Sequence, residues 1–324
     1  MDIPSVIDYA THSEFSDPGA HAARLARVAT DPASLHEMVT DVVVHYRTRP
    51  LTPQQRDDVD LRWISAILDA AAQSSPDDPL GARPEENKVA GCCRDHALLA
   101  VAVLREQGIP ARTRLGFADY LGTPGFHHDH VIVERHDGDR WVRFDPELEN
   151  TAHPFDTYDI PTGEDAPFAT AAEIWLATRA GRLDASRFGA VPESPLLSGL
   201  GFVHRYVLAD LAHRHRCELV LWDMWGAMAT FGAEPDRAAV GLTDEIAELT
   251  VQADRGAAGA EAALTALWQD ERVRPARYVT NWSPTSGFGW VDLTARTTTR
   301  AVLPPALQGS DLVDLLVQPR SGSM

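Results

Sequence analysis

Between Gly91 and Pro146 a thiol, an imidazole and a carboxylate each fall where local structure would make them reactive. Cys93 lies at the N-terminal end of CCRDHALLAVAVLREQ, a run that reads as a buried helix stopped by Gly108 and by Pro110 just beyond it. At a helix N-terminus the unpaired amides and the dipole favour thiolate over thiol, and the same amides can hold a developing oxyanion. The stretches HVIVERH and DRWVRFD alternate as two strands around Asp137-Gly138, a strong hairpin signal. A two-residue loop there sets His130 opposite Asp145, Ile132 opposite Arg143 and Glu134 opposite Trp141, all on one face. An aspartate facing a histidine fixes the ring tautomer and stabilises the imidazolium that forms when the ring takes a thiol proton.

The elements that must position these groups are also legible. DPASLHEMVTDVVVHYR carries an N-cap Asp31, a proline at the first helical position and apolar residues at three-and-four spacing, and a second helix is expected over about 55–73. ARTRLGF reads as a strand after the Cys93 helix. A capping box from Thr170 to Glu173 opens AEIWLATRAG, and FVHRYVLADLAHRH, TDEIAELTVQ and AEAALTALWQDE carry helical spacing, while the tail QPRSGSM reads as frayed. The expected fold class is α+β: over residues 1–150, N-terminal helices and a core in which the Cys-bearing helix packs on an antiparallel sheet bearing His and Asp, then over residues 151–324 a mainly helical extension packed on that core. The connector after Pro146 lacks the Gly/Ser composition of a free linker.

GCCRDHALLAVAVLREQGIPARTRLGFA, DHVIVE and WVRFDPE resemble the core of the transglutaminase-like superfamily, whose pattern is Gly-x-Cys opening a helix, GIPAR, a strand His with a Glu four residues on, and W-V-x-x-D-P. The resemblance implies a papain-like core with Cys93 as nucleophile, His130 as general base and acid, and Asp145 as orienter. Two positions depart from the pattern: His96 and Ile132 stand where the family commonly has aromatics, which alters the shape of the pocket. Trp63 is a candidate for the second oxyanion donor. Through ELVLWDMWGAM the whole chain is similar to actinobacterial-type proteins with such a domain, a likeness that implies no substrate.

Other polar groups have a bland reading beside a functional one. Arg112 and Arg114 share a strand face, either solvated or a clamp for a substrate carboxylate. Glu134 reads as structural with substrate contact as the alternative, and His128, with His127, as a loop or substrate-channel residue. Cys92, about 100° round the helix from Cys93, reads as a buried spectator, and Cys217 as core. Trp175, Trp222, Trp225 and Trp268 read as packing residues. The cysteines and histidines form no closed ligand set, so neither metal nor cofactor is expected.

Composition excludes whole classes of partner. The chain has 324 residues, 29 basic and 47 acidic, for a net charge of -18 that repels nucleic-acid phosphates. It shows no apolar run of membrane-spanning length and no signal-peptide pattern, so a cytoplasmic protein with no membrane partner is expected, and three cysteines, an odd count, point to reduced thiols. The expected activity is cysteine-dependent acyl transfer through an acyl-Cys93 intermediate, resolved by water or an amine, on a small-molecule, peptide or carrier-bound acyl substrate. The rival reading is a catalytically silent scaffold of the same fold, or a protein-binding module.

Overall fold

The computed structural model describes residues 7–163, 165–192, 194–228 and 233–301. After the short α1 (Ala22–Leu25), α2 (Pro32–Val42) begins where the Asp31 side chain accepts the Ser34 amide at 3.0 Å, and it buries Leu35, Met38, Val39 and Val42. It runs straight into β1 (Val43–His45). The single helix expected over about 55–73 is instead two, α3 (Pro53–Asp58) and α4 (Ile64–Ser74). The break falls where buried Arg62 donates through Nε and Nη2 to Asp223, at 2.9 and 2.8 Å, a demand that helical periodicity does not encode.

β2 (Val89–Gly91) pairs in parallel with β1 and delivers the chain to α5 (Cys93–Glu106). Cys93 through Arg105 are all buried, as in a central helix, so the polar members of α5 need internal partners. Arg94 donates to the carbonyls of Glu218 and Arg62, and Arg105 reaches the Glu218 carboxylate at 2.8 Å and the Ala111 carbonyl at 3.0 Å.

α5 packs on β3 (Ala111–Ala118) and β4 (His127–His136), followed by β5 (Trp141–Phe144) and β6 (Phe168–Thr170). The sheet runs β5-β4-β3-β6, with β7 (Phe188–Gly189) parallel to β4. The β4–β5 hairpin exists but in another register: His136 pairs with Trp141 and Glu134 with Arg143, so the connection is Asp137–Arg140 rather than two residues. Asp137 Oδ1 accepts the amides of Asp139 and Arg140, at 3.0 and 2.9 Å, and Gly138 takes a φ of 107°, which stabilises this longer turn. The slip is two residues, so facing is conserved while partners change. Asp145 therefore lies beyond the end of β5.

α6 (Ala171–Arg179) begins with the expected Thr170–Glu173 capping box, and α7 (Leu200–Arg214) lies along the part of β3 that β6 leaves unpaired, where Asp210 accepts the Leu115 amide at 2.8 Å. β8 (Asp223–Met224), α8 (Arg237–Asp254) and α9 (Ala260–Leu267) follow. β9 (Tyr278–Ser283), β10 (Gly287–Asp292) and β11 (Thr297–Arg300) then complete a four-stranded antiparallel sheet, β11-β10-β9-β8, that the helical reading of the extension misses. The signal was present, since Val279, Asn281 and Ser283 are buried in alternation along β9. One apolar cluster runs from Phe15 through α5 to Val291, and no helix among the described residues is long and apolar enough to cross a membrane. The tail QPRSGSM lies outside the described residues.

Arg112 and Arg114 are not solvated and do not form a clamp. Both are buried in an ion network with Glu134, which accepts from Arg112 Nε at 2.7 Å, Arg114 Nη1 at 3.1 Å and Arg143 Nε at 2.8 Å, while Arg114 also reaches Asp210 and Asp254. Burial alone would raise the Glu134 carboxyl, but the three guanidinium groups hold it well below its ordinary 4.5. A depressed carboxylate lends stability that is complete above its ordinary pKa and is lost as pH falls through the folded value. Glu134→Gln should therefore cost about 3–5 kcal/mol by leaving buried guanidinium charge uncompensated. Urea unfolding at neutral pH checks this, and a loss under about 1 kcal/mol would show the network to be dispensable.

Candidate active site

Cys92 is the extended N-cap of α5, with φ -127° and ψ -174°, and its amide donates to Asp95 Oδ2 at 2.7 Å. That folded-back aspartate explains Gly91: a Cβ there would lie 2.7 Å from Asp95 Oδ2. Cys93 follows as the first helical residue, 2% exposed. Its thiol is lowered to about 6, most strongly by the hydrogen bond from the Cys92 thiol, against the opposing effect of burial and with help from the adjacent His130. Cys92 moves the other way, well above the ordinary 9.0, because burial and the neighbouring Cys93 both disfavour its charge. The two thiols are thus shifted in opposite directions, Cys93 toward the thiolate and Cys92 toward the neutral thiol, and Cys92 is buried as expected.

His130 Nε2 donates to Asp145 Oδ2 at 2.6 Å. With Nε2 carrying that proton, Nδ1 is the ring nitrogen left for the thiol, and it has no hydrogen-bond partner among the described residues. Burial would lower the His130 pKa, yet Asp145 and Cys93 hold it well above 6.5. Asp145 is fully buried and satisfied: Oδ2 also accepts Tyr120 Oη at 2.9 Å and Oδ1 accepts the Glu147 amide at 2.9 Å. Against a burial effect that would raise it, the charge of His130 and these hydrogen bonds hold Asp145 below its ordinary value. A proton on the His130 ring is favoured from both sides, by the Asp145 carboxylate that its Nε2 meets and by Cys93 nearby.

Of the other residues singled out in the sequence, none joins that trio. His96 sets Nδ1 and Nε2 each 3.1 Å from a carbonyl, those of Cys92 and Val43, and ties α5 to β1. His128 Nε2 lies 3.0 Å from Thr123 Oγ1, and its ring packs on Phe126. Trp63 stacks on Phe15 at 6.3 Å with Arg296 over its ring, and its buried Nε1 has no hydrogen-bond partner among the described residues. Glu134 belongs to the ion network and Cys217 is half-buried beside the main core. One set of potential metal ligands lies here, His130, Asp145 and Glu147, with donor atoms within 4.8 Å of one another. Its His130 and Asp145 atoms already bond each other, so a cation would have to break that contact.

A cleft opens beside Cys93, lined by Arg47, Asp129, Arg205, Tyr206 and Trp222 among others. The sequence reading missed Arg47, Arg205 and Tyr120. Arg47 follows β1 and comes to the cleft through the β1–β2 pairing, Arg205 arrives on α7, and Tyr120 sits in the β3–β4 loop, so no local spacing marks them.

Residues 59–146 match the model of the transglutaminase-like superfamily, a stretch that contains Cys93, His130 and Asp145. A solved structure from Cytophaga hutchinsonii described as a "putative cysteine protease" is 18% identical over 43% of this chain and 40% of its own, with a TM-score of 0.28. The match thus spans less than half of that protein's length. No curated protein matches the chain.

The iodoacetamide rate at Cys93 should rise with a midpoint near pH 6 and level off above it, because the thiolate is already formed there. Cys92→Ala removes the hydrogen bond that most favours the thiolate and should move the midpoint upward, whereas Cys92→Ser keeps a donor and should move it less. Adduct mass measured from pH 4 to 10 decides; a wild-type midpoint near about 8.5 would remove the basis for an activated thiol.

Proposed function

We propose that this chain, whose residues 59–146 carry a transglutaminase-like core, is an enzyme of cysteine-dependent acyl transfer. What supports the reading is that Cys93, lowered to about 6 by Cys92 and His130, has close to it an imidazole whose Nε2 is held at 2.6 Å by the buried Asp145 carboxylate and whose Nδ1 has no hydrogen-bond partner among the described residues. The Cys93 thiolate attacks an amide or thioester carbonyl, the carbonyl oxygen takes the negative charge, and the amide of Cys93, which heads α5 without an intrahelical acceptor, is available to it. Imidazolium gives its proton to the departing amine or thiol as the tetrahedral carbon collapses to the acyl-enzyme. Water or an amine then attacks the thioester, with His130 taking its proton and returning Cys93 to its starting state. Asp145 holds the ring and its charge throughout, and Tyr120 holds Asp145.

The test is covalent capture. Mixed peptides and acyl thioesters should add an acyl mass to Cys93 of the wild type and none to Cys93→Ala. Asp145→Asn keeps the volume but loses the charge that stabilises imidazolium and the hydrogen bond that sets the tautomer, and single-turnover acylation should fall by about two to four orders of magnitude. A folded Asp145→Asn variant that acylates at the wild-type rate would refute the assigned role. A wild type that never acquires an acyl mass would favour the silent-scaffold reading.

A further inference from the structure

We propose that Cys92 is a resolving thiol: hydrogen peroxide entering the cleft oxidises Cys93, and Cys92 then closes a disulfide with it, a reversible modification that removes the nucleophile. This chemistry needs the reactive thiol of Cys93 but no acyl substrate, so it lies beyond the acyl-transfer reading. Three features of the fold bring the parts together. The two cysteines are consecutive at the start of α5, Cys92 as N-cap and Cys93 as the first helical residue. Their thiols are in hydrogen-bond contact. Both side chains line the same cleft although each is only 2% exposed, a setting open to hydrogen peroxide, which is little larger than water. Cys217, half-buried beside the main core, is not among the lining residues and serves as a reference thiol in the same chain.

The Cys93 sulfur attacks one peroxide oxygen, the O–O bond breaks, and the second oxygen leaves as hydroxide that takes the His130 proton to become water; sulfur has given up two electrons and stands as sulfenic acid. The Cys92 sulfur then attacks the Cys93 sulfur, the S–O bond breaks, and the departing hydroxide takes the Cys92 proton. Two thiols and one peroxide thus yield one disulfide and two waters. The opposite shifts of the thiols suit these two parts. Cys93, lowered to about 6, offers the peroxide a thiolate, while burial, and after it the neighbouring Cys93 and Asp95, keep Cys92 neutral and out of the first step. Oxidation of Cys93 removes its negative charge, and with it one of the effects that disfavour a Cys92 thiolate, when Cys92 must attack. Adjacent Cα atoms are about 3.8 Å apart, closer than the roughly 4.4–6.8 Å that disulfides ordinarily span, so this bond is strained and a dithiol reductant reopens it.

The test uses the full chain and no substrate. Trypsin cuts after Lys88 and Arg94, so both cysteines fall in one peptide, Val89–Arg94, apart from Cys217. After brief exposure to hydrogen peroxide at neutral pH and blocking of free thiols with iodoacetamide, that peptide should have lost two hydrogens and taken no label, and dithiothreitol should restore both thiols. The loss should appear about tenfold or more faster than oxidation of Cys217. Cys92→Ser should instead stop at a dimedone-reactive Cys93 carrying one oxygen, and go on to two and three oxygens at higher peroxide. A wild-type peptide that gains oxygen without losing two hydrogens overturns the proposal, with no variant having to fold. So does a loss of two hydrogens that persists in Cys92→Ser, which would put the new bond on a nitrogen, or oxidation no faster than that of Cys217. Acyl capture fails separately: a chain that forms the disulfide but never gains an acyl mass loses the acyl-transfer reading and keeps the resolving thiol, and a chain that acylates at Cys93 without forming the disulfide does the reverse.

Discussion

The start of α5 is buried, and most of the molecule answers to that constraint. A helix N-terminus leaves up to four amides without intrahelical acceptors, and burying them without compensation is costly. Asp95 folds back to the Cys92 amide, which requires Gly91 to have no side chain, and the Cys92 carbonyl takes the amides of Asp95 and His96. The positive end of the helix therefore faces both the Asp95 carboxylate and the Cys93 thiol. Burial pushes both cysteines toward the neutral form, and only Cys93, which has Cys92 and His130 acting on it, is lowered, to about 6.

His130 must stay on station for this to matter, and the device that holds its strand is electrostatic rather than apolar. Arg112, Arg114 and Arg143 converge on Glu134, four residues along β4 from His130, and Asp210 and Asp254 connect them to α7 and α8. A network of this depth is weak evidence for net stability, since desolvation consumes much of the attraction. Its geometric demands are strict, however. Each carboxylate is shared, so strands and helices cannot shift independently, and α7, which also brings Arg205 and Tyr206 to the cleft, is fixed relative to β3.

What the sequence made legible follows from range. Cys93, His130 and Asp145 each sit in a short segment whose type could be read locally, and the meeting of His130 with Asp145 survived a wrong hairpin register because a two-residue slip preserves facing. The loop itself was misread because Asp137 captures two later amides, a side-chain choice that Asp-Gly alone does not predict. Arg112 and Arg114 were misread because alternation places side chains on faces without saying which will be covered. The C-terminal sheet was overlooked although β9 alternates, since neighbouring helical periods dominated the reading. Arg47 and Arg205 were out of reach, because their place beside Cys93 depends on contacts spanning tens to hundreds of residues, such as Arg47 with Ala190.

Ile132 and His96, which depart from the family's aromatic habit, can be understood in the same terms. Ile132 packs with Ala118, Ile160 and Phe168 in a small apolar cluster, and Tyr120, packed against that cluster, sends its hydroxyl to Asp145 and its ring edge to His130 at 6.0 Å. The aromatic support of the histidine therefore comes from the β3–β4 loop instead of from β4 itself. At the other departure, His96 turns away from the cleft to bridge the Cys92 and Val43 carbonyls, and the aromatic lining is supplied from afar by Tyr46, Trp222 and Tyr206. Two substitutions in local motifs are thus matched by residues from distant segments, so the shape of this cleft is set by the parts of the chain outside the recognisable core.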